Sequence, residues 1–423
     1  MKASFEKMFI TQLSIVKVRH LKELRIQLSE ANNKVMKHLL LTGKNGSGKT
    51  SVLDALSNYL DDVCGENKLV RAKKGLDNDR KVLKSLSDYN APKEQIREVQ
   101  KNINYWNKQI AEFYLGINVK FNCGKSRLQE TYKQGCFILA YFKTDRVFEA
   151  TVPQHIEKVA LKEKYTIADE PRKDFIKYLV DKKVSQSLYQ TKNELEKADT
   201  INRWFLSFEK LLRDIFEDDT LRLEFDVDTF AFHILEKGRE RFDFNTMSSG
   251  YAAILDIVVG IIMRMEQHAN GRFEFDMPGI VLIDEIETHL HYELQKRVLP
   301  FLCTVFPNIQ FVVSTHSAFI LNSIENAVIY DLGNKVTVPD GLSDVPYDGI
   351  IEGYFDVSIL SKDLQDKYEQ YKVLVAKKTL SDDELAEIQR LELYLDEIPD
   401  YLGLNIATEY KRLKLEFEAR EDI

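Results

Sequence analysis

Gly43-Lys44-Asn45-Gly46-Ser47-Gly48-Lys49-Thr50 decides how the rest of the chain is read. The stretch meets every required position of G-x-x-x-x-G-K-[ST], and its flanks supply the context that pattern needs. Before it, Lys37-His38-Leu39-Leu40-Leu41-Thr42 reads as a buried strand; after it, Ser51-Val52-Leu53-Asp54-Ala55-Leu56 opens a helix. A strand that turns through glycines into a helix presents backbone N–H groups and the positive helix end to an anion. The stretch therefore predicts a nucleotide site built from Gly43, Lys44, Asn45, Gly46, Ser47, Gly48, Lys49, Thr50 and Ser51. Lys49 would reach the β and γ phosphates of ATP, and Thr50 would place its hydroxyl on Mg²⁺.

Working outward, 423 residues with 44% hydrophobic and 11% aromatic content are enough for one large globular domain or two ordinary ones. With 67 acidic residues against 59 basic ones the net charge is −8, which argues against a chain that coats nucleic acid. Arg71-Ala72-Lys73-Lys74 and the lysines between Lys173 and Lys183 read as solvated surface, with a local basic face toward nucleic acid as the other reading. Cys64, Cys123, Cys136 and Cys303 lack C-x-x-C spacing, so neither a disulfide framework nor a zinc knuckle is expected, and a cytoplasmic location fits. Neither a secretion signal at Met1–Lys7 nor a membrane-length apolar run is read.

Period-two alternation over Leu13–Val18 and Leu24–Leu28 predicts a strand pair packed beside the loop strand. Leu69, Ala72, Leu76, Leu83 and Leu86, a turn at Asn90-Ala91-Pro92, then Ile96, Val99, Ile103, Trp106, Ile110 and Phe113 follow helical spacing. They predict an antiparallel helical hairpin over 69–115, inserted after a first ATPase segment, 1–68. An ordinary amphipathic pair lying on the core is the other reading of those spacings. Strands resume over 116–172, where Gly135–Phe142 is a buried strand ending at Lys143-Thr144-Asp145-Arg146, with Asp145 and Arg146 placed to reach a nucleotide or a neighbouring loop, or to form an ion pair. A helical subdomain is expected over 173–220, a second ATPase segment over 221–339, and a helical region over 340–423 in which Ser381–Glu384 is a capping box.

The second segment holds the remaining polar groups of the predicted site. Ser248, Ser249 and Gly250 precede an apolar helix, so the turn offers hydroxyls and N–H groups to an anion. Gly279-Ile280-Val281-Leu282-Ile283 is a buried strand ending in Asp284 and Glu285. Asp284 is placed to hold Mg²⁺ and Glu285 to activate the attacking water. A further strand, Ile309–Ser314, ends at His316, which suits a γ-phosphate contact. His289 and His291 lack a third metal ligand and read as a turn.

In that order, Gly43–Thr50, Ser248-Ser249-Gly250, Ile283-Asp284-Glu285 and Ser314-Thr315-His316 resemble the Walker A, signature, Walker B and switch-histidine motifs of ABC-type ATPases. Glu287-Thr288-His289-Leu290-His291 and Thr315-His316-Ser317 are similar to the SMC/RecF-like branch that includes OLD-family and PtuA-type ATPases of bacterial anti-phage systems, retron- and Septu-associated ones among them. The resemblance runs over roughly residues 8 to 332. Met247 stands where the family has leucine, and no glutamine is assigned to the Q-loop.

The resemblance implies an α/β fold: a P-loop NTPase of ABC/SMC-like type with a helical hairpin insertion, a helical subdomain and a helical C-terminal region. It implies a homodimer or higher homo-oligomer, closing head to tail so that Lys49 and Thr50 of one subunit and Ser248, Ser249 and Gly250 of the other enclose one ATP. Glu285 and His316 would complete hydrolysis. The C-terminal stretch leaves no room for a Toprim domain, so the expected effector is a separate protein encoded nearby, a nuclease of HNH or Toprim type, with nucleic acid reached through the complex. A RecF-like repair ATPase and a scaffold that binds ATP with little hydrolysis are the alternatives.

Overall fold

A computed structural model describes residues 6–29, 35–65, 68–89, 91–146, 148, 152–269, 272–355, 362–397 and 404–420. Two units separate, Met1–Val345 and Pro346–Ile423.

In the first unit, Ile10–Val18 (β1) and Leu21–Gln27 (β2) form an antiparallel hairpin with Leu13 opposite Ile26 and Ile15 opposite Leu24. His38–Thr42 (β3) is buried along its whole length, as a strand without polar alternation must be. Lys49–Cys64 (α1) leaves the phosphate loop and buries Val52, Leu53, Leu56 and Leu60 at helical spacing. Lys68–Asp88 (α2) and Lys93–Leu115 (α3) follow as two helices packed on each other. Their close approach depends on Gly75, where a Cβ would fall 2.7 Å from the Trp106 ring, and Trp106 Nε1 donates to Asp79 Oδ2 at 2.8 Å. Of the residues read into this hairpin, the side chains of Leu69 and Phe113, and Asn90 of its turn, lie outside the described residues.

Ile117–Phe121 (β4) returns to pair antiparallel with β1, giving a sheet of order β2-β1-β4. The hairpin expected beside the loop strand thus belongs to a sheet of its own. Gln310 joins that sheet to β3: its amide accepts from Ile10 N at 2.7 Å and donates to Ile10 O and Lys37 O. Helix α1 fills the space between the two sheets, sharing one core with Leu13, Ile15 and Val119 on one side and Leu39, Leu41, Ile280 and Leu282 on the other. A short helix, Lys125–Lys133 (α4), stands where only strands are read from the sequence; it buries Leu128 and Tyr132.

Ile138–Phe142 (β5) enters the main sheet. Phe175–Thr191 (α5) and Leu195–Phe216 (α6) pack through an aromatic cluster in which Trp204 stacks on Phe208 and meets Tyr178 and Phe205 edge-on. Arg222–Phe225 (β6), Phe232–Leu235 (β7) and Phe242–Asp243 (β8) form a small antiparallel sheet. Ser249–Ala269 (α7) is buried for most of its length. Its one buried carboxylate near the aromatic cluster, Glu266, is satisfied by the Tyr178 hydroxyl, by Trp204 Nε1 at 3.2 Å and by Lys182 at 3.1 Å.

Gly279–Ile283 (β9), Tyr292–Val305 (α8), Ile309–Ser314 (β10), Ala318–Leu321 (α9), Ala327–Asp331 (β11) and Val336–Val338 (β12) complete the unit. The main sheet has the order β12-β11-β3-β10-β9-β5. All its neighbours run parallel except β12. Parallel strands end at one edge, and that edge is where an open α/β sheet offers a ligand crevice. In the second unit one helical turn, Tyr347–Gly349 (α10), precedes Lys362–Val375 (α11), Asp382–Asp396 (α12) and Leu404–Glu418 (α13). These pack around Tyr371, Ile388, Leu391, Leu395 and Tyr410. Ser381 and Glu384 form the capping box of α12.

Candidate functional site

Topology alone brings the polar strand ends together. Thr42 ends β3, Ser314 ends β10 beside it, Ile283 ends β9 next, and Phe142 ends β5. The phosphate loop leaves the central strand with Gly43, Gly46 and Gly48 at φ of 129°, 81° and 100°. Side chains other than glycine rarely adopt such angles. Gly43 has a second reason to be glycine, since a Cβ there would lie 3.1 Å from Asp331 Oδ1 and 3.1 Å from Gly333 N. The N-terminus of α1 has no side-chain cap. By contrast, Ser317 caps α9 through Phe319 N and Ile320 N.

Lys49 is 6% exposed and donates to Gly43 O at 2.9 Å. Burial pulls its ammonium below the ordinary lysine range, while Glu285, Glu287, Asp284 and Asp331 oppose that shift. Thr50 is exposed, while Lys44 and Asn45 are exposed on the loop; Ser47 and Ser51 are half-buried. The Ser47 hydroxyl has no hydrogen-bond partner among the described residues.

Asp284 is 2% exposed and held at both oxygens: Ser314 Oγ donates to Oδ1 at 2.5 Å and Thr144 Oγ1 to Oδ2 at 3.3 Å. Glu285 follows in the left-handed region, φ 46°, a conformation that costs a non-glycine residue about 1–2 kcal/mol. Its N–H donates to Ser314 Oγ at 2.7 Å, and its carbonyl closes a turn with Thr288 N at 2.9 Å. Glu287 accepts from His316 N at 2.5 Å, leaving its other oxygen and His316 Nε2 without partners among the described residues. Burial, then the Lys49 charge, lowers the His316 pKa, so the ring stays a neutral imidazole near neutral pH.

Ser248 and Ser249 are exposed at the start of α7, and no hydrogen bond or ion pair among the described residues joins them to the phosphate loop. Gly250 packs on the loop after Glu285, where a Cβ would meet His289 O at 3.1 Å. The helix behind them is anchored to β5: Gly260 admits the Phe142 ring, 2.7 Å from where a Cβ would be, and Arg264 donates to Leu139 O at 3.0 Å. His289 and His291 are both exposed, and among the described residues no group of three or more metal-ligating side chains is found.

Three side chains at this edge escape the motif reading. Asp331 accepts from Gly333 N and Asn334 N and lies against Gly43; its signal is an aspartate ending an apolar strand before Gly-Asn. Thr144 reaches Asp284 from the end of β5. Arg146, 3% exposed, forms no ion pair among the described residues; it donates to the backbone oxygens of Lys143, Asp284 and Glu285. A buried cation spent on carbonyls leaves no sequence signature beyond its place after the strand.

Residues 162–322 match the family described as "AAA domain, putative AbiEii toxin, Type IV TA system". That span holds Ser248, Asp284, Glu285 and His316 but not the phosphate loop. The "Retron Ec83 probable ATPase" of Escherichia coli is 34% identical over 158 residues, 36% of this chain and 29% of that protein. The "Septu protein PtuA" of Bacillus mycoides (strain KBAB4) is 28% identical over 157 residues, 34% of this chain and 21% of that protein. The chain therefore spans less than a third of either relative's length. Among solved structures, the SmcHead bound to the C-winged helix domain of ScpA covers 80% of this chain at 12% identity and a TM-score of 0.38, too weak a likeness to argue from. No helix among the described residues is long and apolar enough to cross a membrane. Residues 162–322 match that AAA-domain family, the phosphate loop between β3 and α1 gives the unit a P-loop α/β fold, and over about a third of its length the chain is similar to the retron and Septu proteins.

Proposed function

We propose that the chain binds ATP with Mg²⁺, hydrolyses it in a head-to-tail homodimer or larger homo-oligomer, and through that cycle controls a separate effector, a nuclease, in bacterial anti-phage defence. One observation carries the ATPase reading. Three parallel strands deliver Lys49, the Asp284–Glu285 pair and His316 to one sheet edge, around an uncapped helix N-terminus. The residues fit the nucleotide and its metal. Space is open around Gly46, where a Cβ would meet nothing within 4 Å, and the Ser47 hydroxyl and His316 Nε2 await partners.

Lys49 would neutralise the terminal phosphates, and His316 would contact the last of them as a neutral donor. Thr50 and Asp284 are the residues to hold Mg²⁺, which supplies charge neutralisation on the phosphates when bound. Glu285 would orient or deprotonate the attacking water. The pairing of subunits is supported by the exposure of Ser248 and Ser249, whose hydroxyls are left free of the chain's own phosphate loop. The defence setting is supported by the likeness to the retron and Septu proteins, and the separate effector by the motif resemblance alone. The test is calorimetry of the full chain with ATP: Lys49→Ala should abolish binding, and unchanged affinity in that variant would refute the site.

A further inference from the structure

The buried guanidinium of Arg146 touches none of the groups assigned to ATP, yet it sits directly beneath the residue assigned to water activation. Nη1 donates to Asp284 O at 2.6 Å and Nη2 to Glu285 O at 2.7 Å, while Nη1 also reaches Lys143 O at 3.1 Å. The two η nitrogens therefore straddle the peptide joining the acidic pair. That peptide leads into a left-handed residue, φ 46° at Glu285, which an ordinary strand end would not adopt. Without Arg146 the Asp284 carbonyl would lose its donor and the Glu285 carbonyl would keep only Thr288 N, so that Glu285 could relax toward an extended conformation that swings its carboxylate away. Ser314, on β10, holds the N–H side of the same residue. Arg146 holds the carbonyl side.

The cost of burying this cation shows that the contact is built. Asp256, fully buried on α7, lines the same cavity as Arg146 and pairs with Arg172 at 2.5 Å. Among the acidic groups acting on Arg146 it is the foremost, ahead of Glu287, Asp284 and Glu285. A charge from the signature helix thus offsets the desolvation of a side chain that grips the Walker B turn.

We propose that Arg146 is a positioning residue for ATP hydrolysis: by donating to the carbonyls of Asp284 and Glu285 it fixes the turn that aims the Glu285 carboxylate at water. The inference rests on the ATPase reading above. Lysine keeps the charge but has one nitrogen, which cannot straddle both carbonyls.

The test is steady-state ATP hydrolysis by the full chain carrying Arg146→Met, Arg146→Lys, Glu285→Gln, and each Arg146 change combined with Glu285→Gln, with ATP affinity measured alongside. Arg146→Met should lower kcat by about 10²-fold with affinity within about twofold, as expected for a misplaced reacting group. Arg146→Lys should fall between, and it decides the matter if the methionine variant does not fold. Because Arg146 acts through Glu285, neither change should slow Glu285→Gln further. A merely structural arginine would weaken ATP binding too, or multiply its loss onto that of Glu285→Gln, and either result overturns the proposal. A normal kcat in Arg146→Lys and Arg146→Met beside a slow Glu285→Gln overturns it alone; a normal rate in Glu285→Gln overturns it together with the role given to Glu285.

Discussion

At the residue scale, Lys49, Asp284, Glu285 and His316 lie at one edge of the main sheet. Glu285→Gln should retain ATP binding and slow hydrolysis by about 10²-fold or more, the scale of a lost general base, as single-turnover measurements would show. His38, at the start of β3, gives a second check, on folding. Burial, helped by the Lys7 charge, pulls its imidazole from 6.5 down to about 4. The unfolded chain therefore takes up that proton first as pH falls. Stability from this group is intact above pH 6.5 and drops by about 3 kcal/mol as pH falls toward 4. Melting curves between pH 7 and 4 should show a shallower acid decline in His38→Asn than in the parent; parallel curves would contradict it. Lys49, Asp284, Glu285 and His316 are legible in the sequence because their chemistry is tied to fixed neighbours in the chain. Arg146 is legible only as a strand-end group able to reach a neighbouring loop, not as a donor to the Asp284 and Glu285 carbonyls, and Thr144 is not legible, because both act on a strand distant in sequence.

At the element scale, α1 carries the architecture, since its apolar face is shared by two sheets. Leu53 is fully buried in that shared core. Leu53→Ala should cost about 2–5 kcal/mol, measurable as a fall in the denaturant midpoint. A loss under half a kcal/mol would mean that α1 is not the joint between the sheets. The strands β3, β9 and β10 were readable because unbroken apolar runs ending in polar residues belong to buried parallel strands. Which sheet the first hairpin joins was not readable: alternation fixes the face a strand buries, not its neighbour, and Gln310, far along the chain, makes the connection. Helix α4 escaped because its nine residues bury only Leu128 and Tyr132, too few to set a period.

At the scale of the whole molecule, every residue proposed for ATP belongs to the first unit, Met1–Val345. Between 346 and 423 the sequence carries 19 acidic and 10 basic residues. Within the first unit no hydrogen bond among the described residues joins Ser249 to the phosphate loop of Lys49, and the proposed head-to-tail pair would bring the Ser249 of one copy to the loop of the other. That composite site is the central claim, and mixing two inactive variants tests it most directly. Lys49→Ala spoils one subunit's phosphate loop; Ser249→Arg puts a bulky cation where the partner's nucleotide must dock. Each variant alone should be inactive in ATP hydrolysis. In a head-to-tail pair of one of each, the intact loop of the Ser249→Arg chain faces the intact serine of the Lys49→Ala chain, so an equimolar exchanged mixture should regain about a quarter of the parental rate. A mixture as inactive as its parts, although mixed pairs form, would contradict the account, as would normal hydrolysis by Ser249→Arg alone.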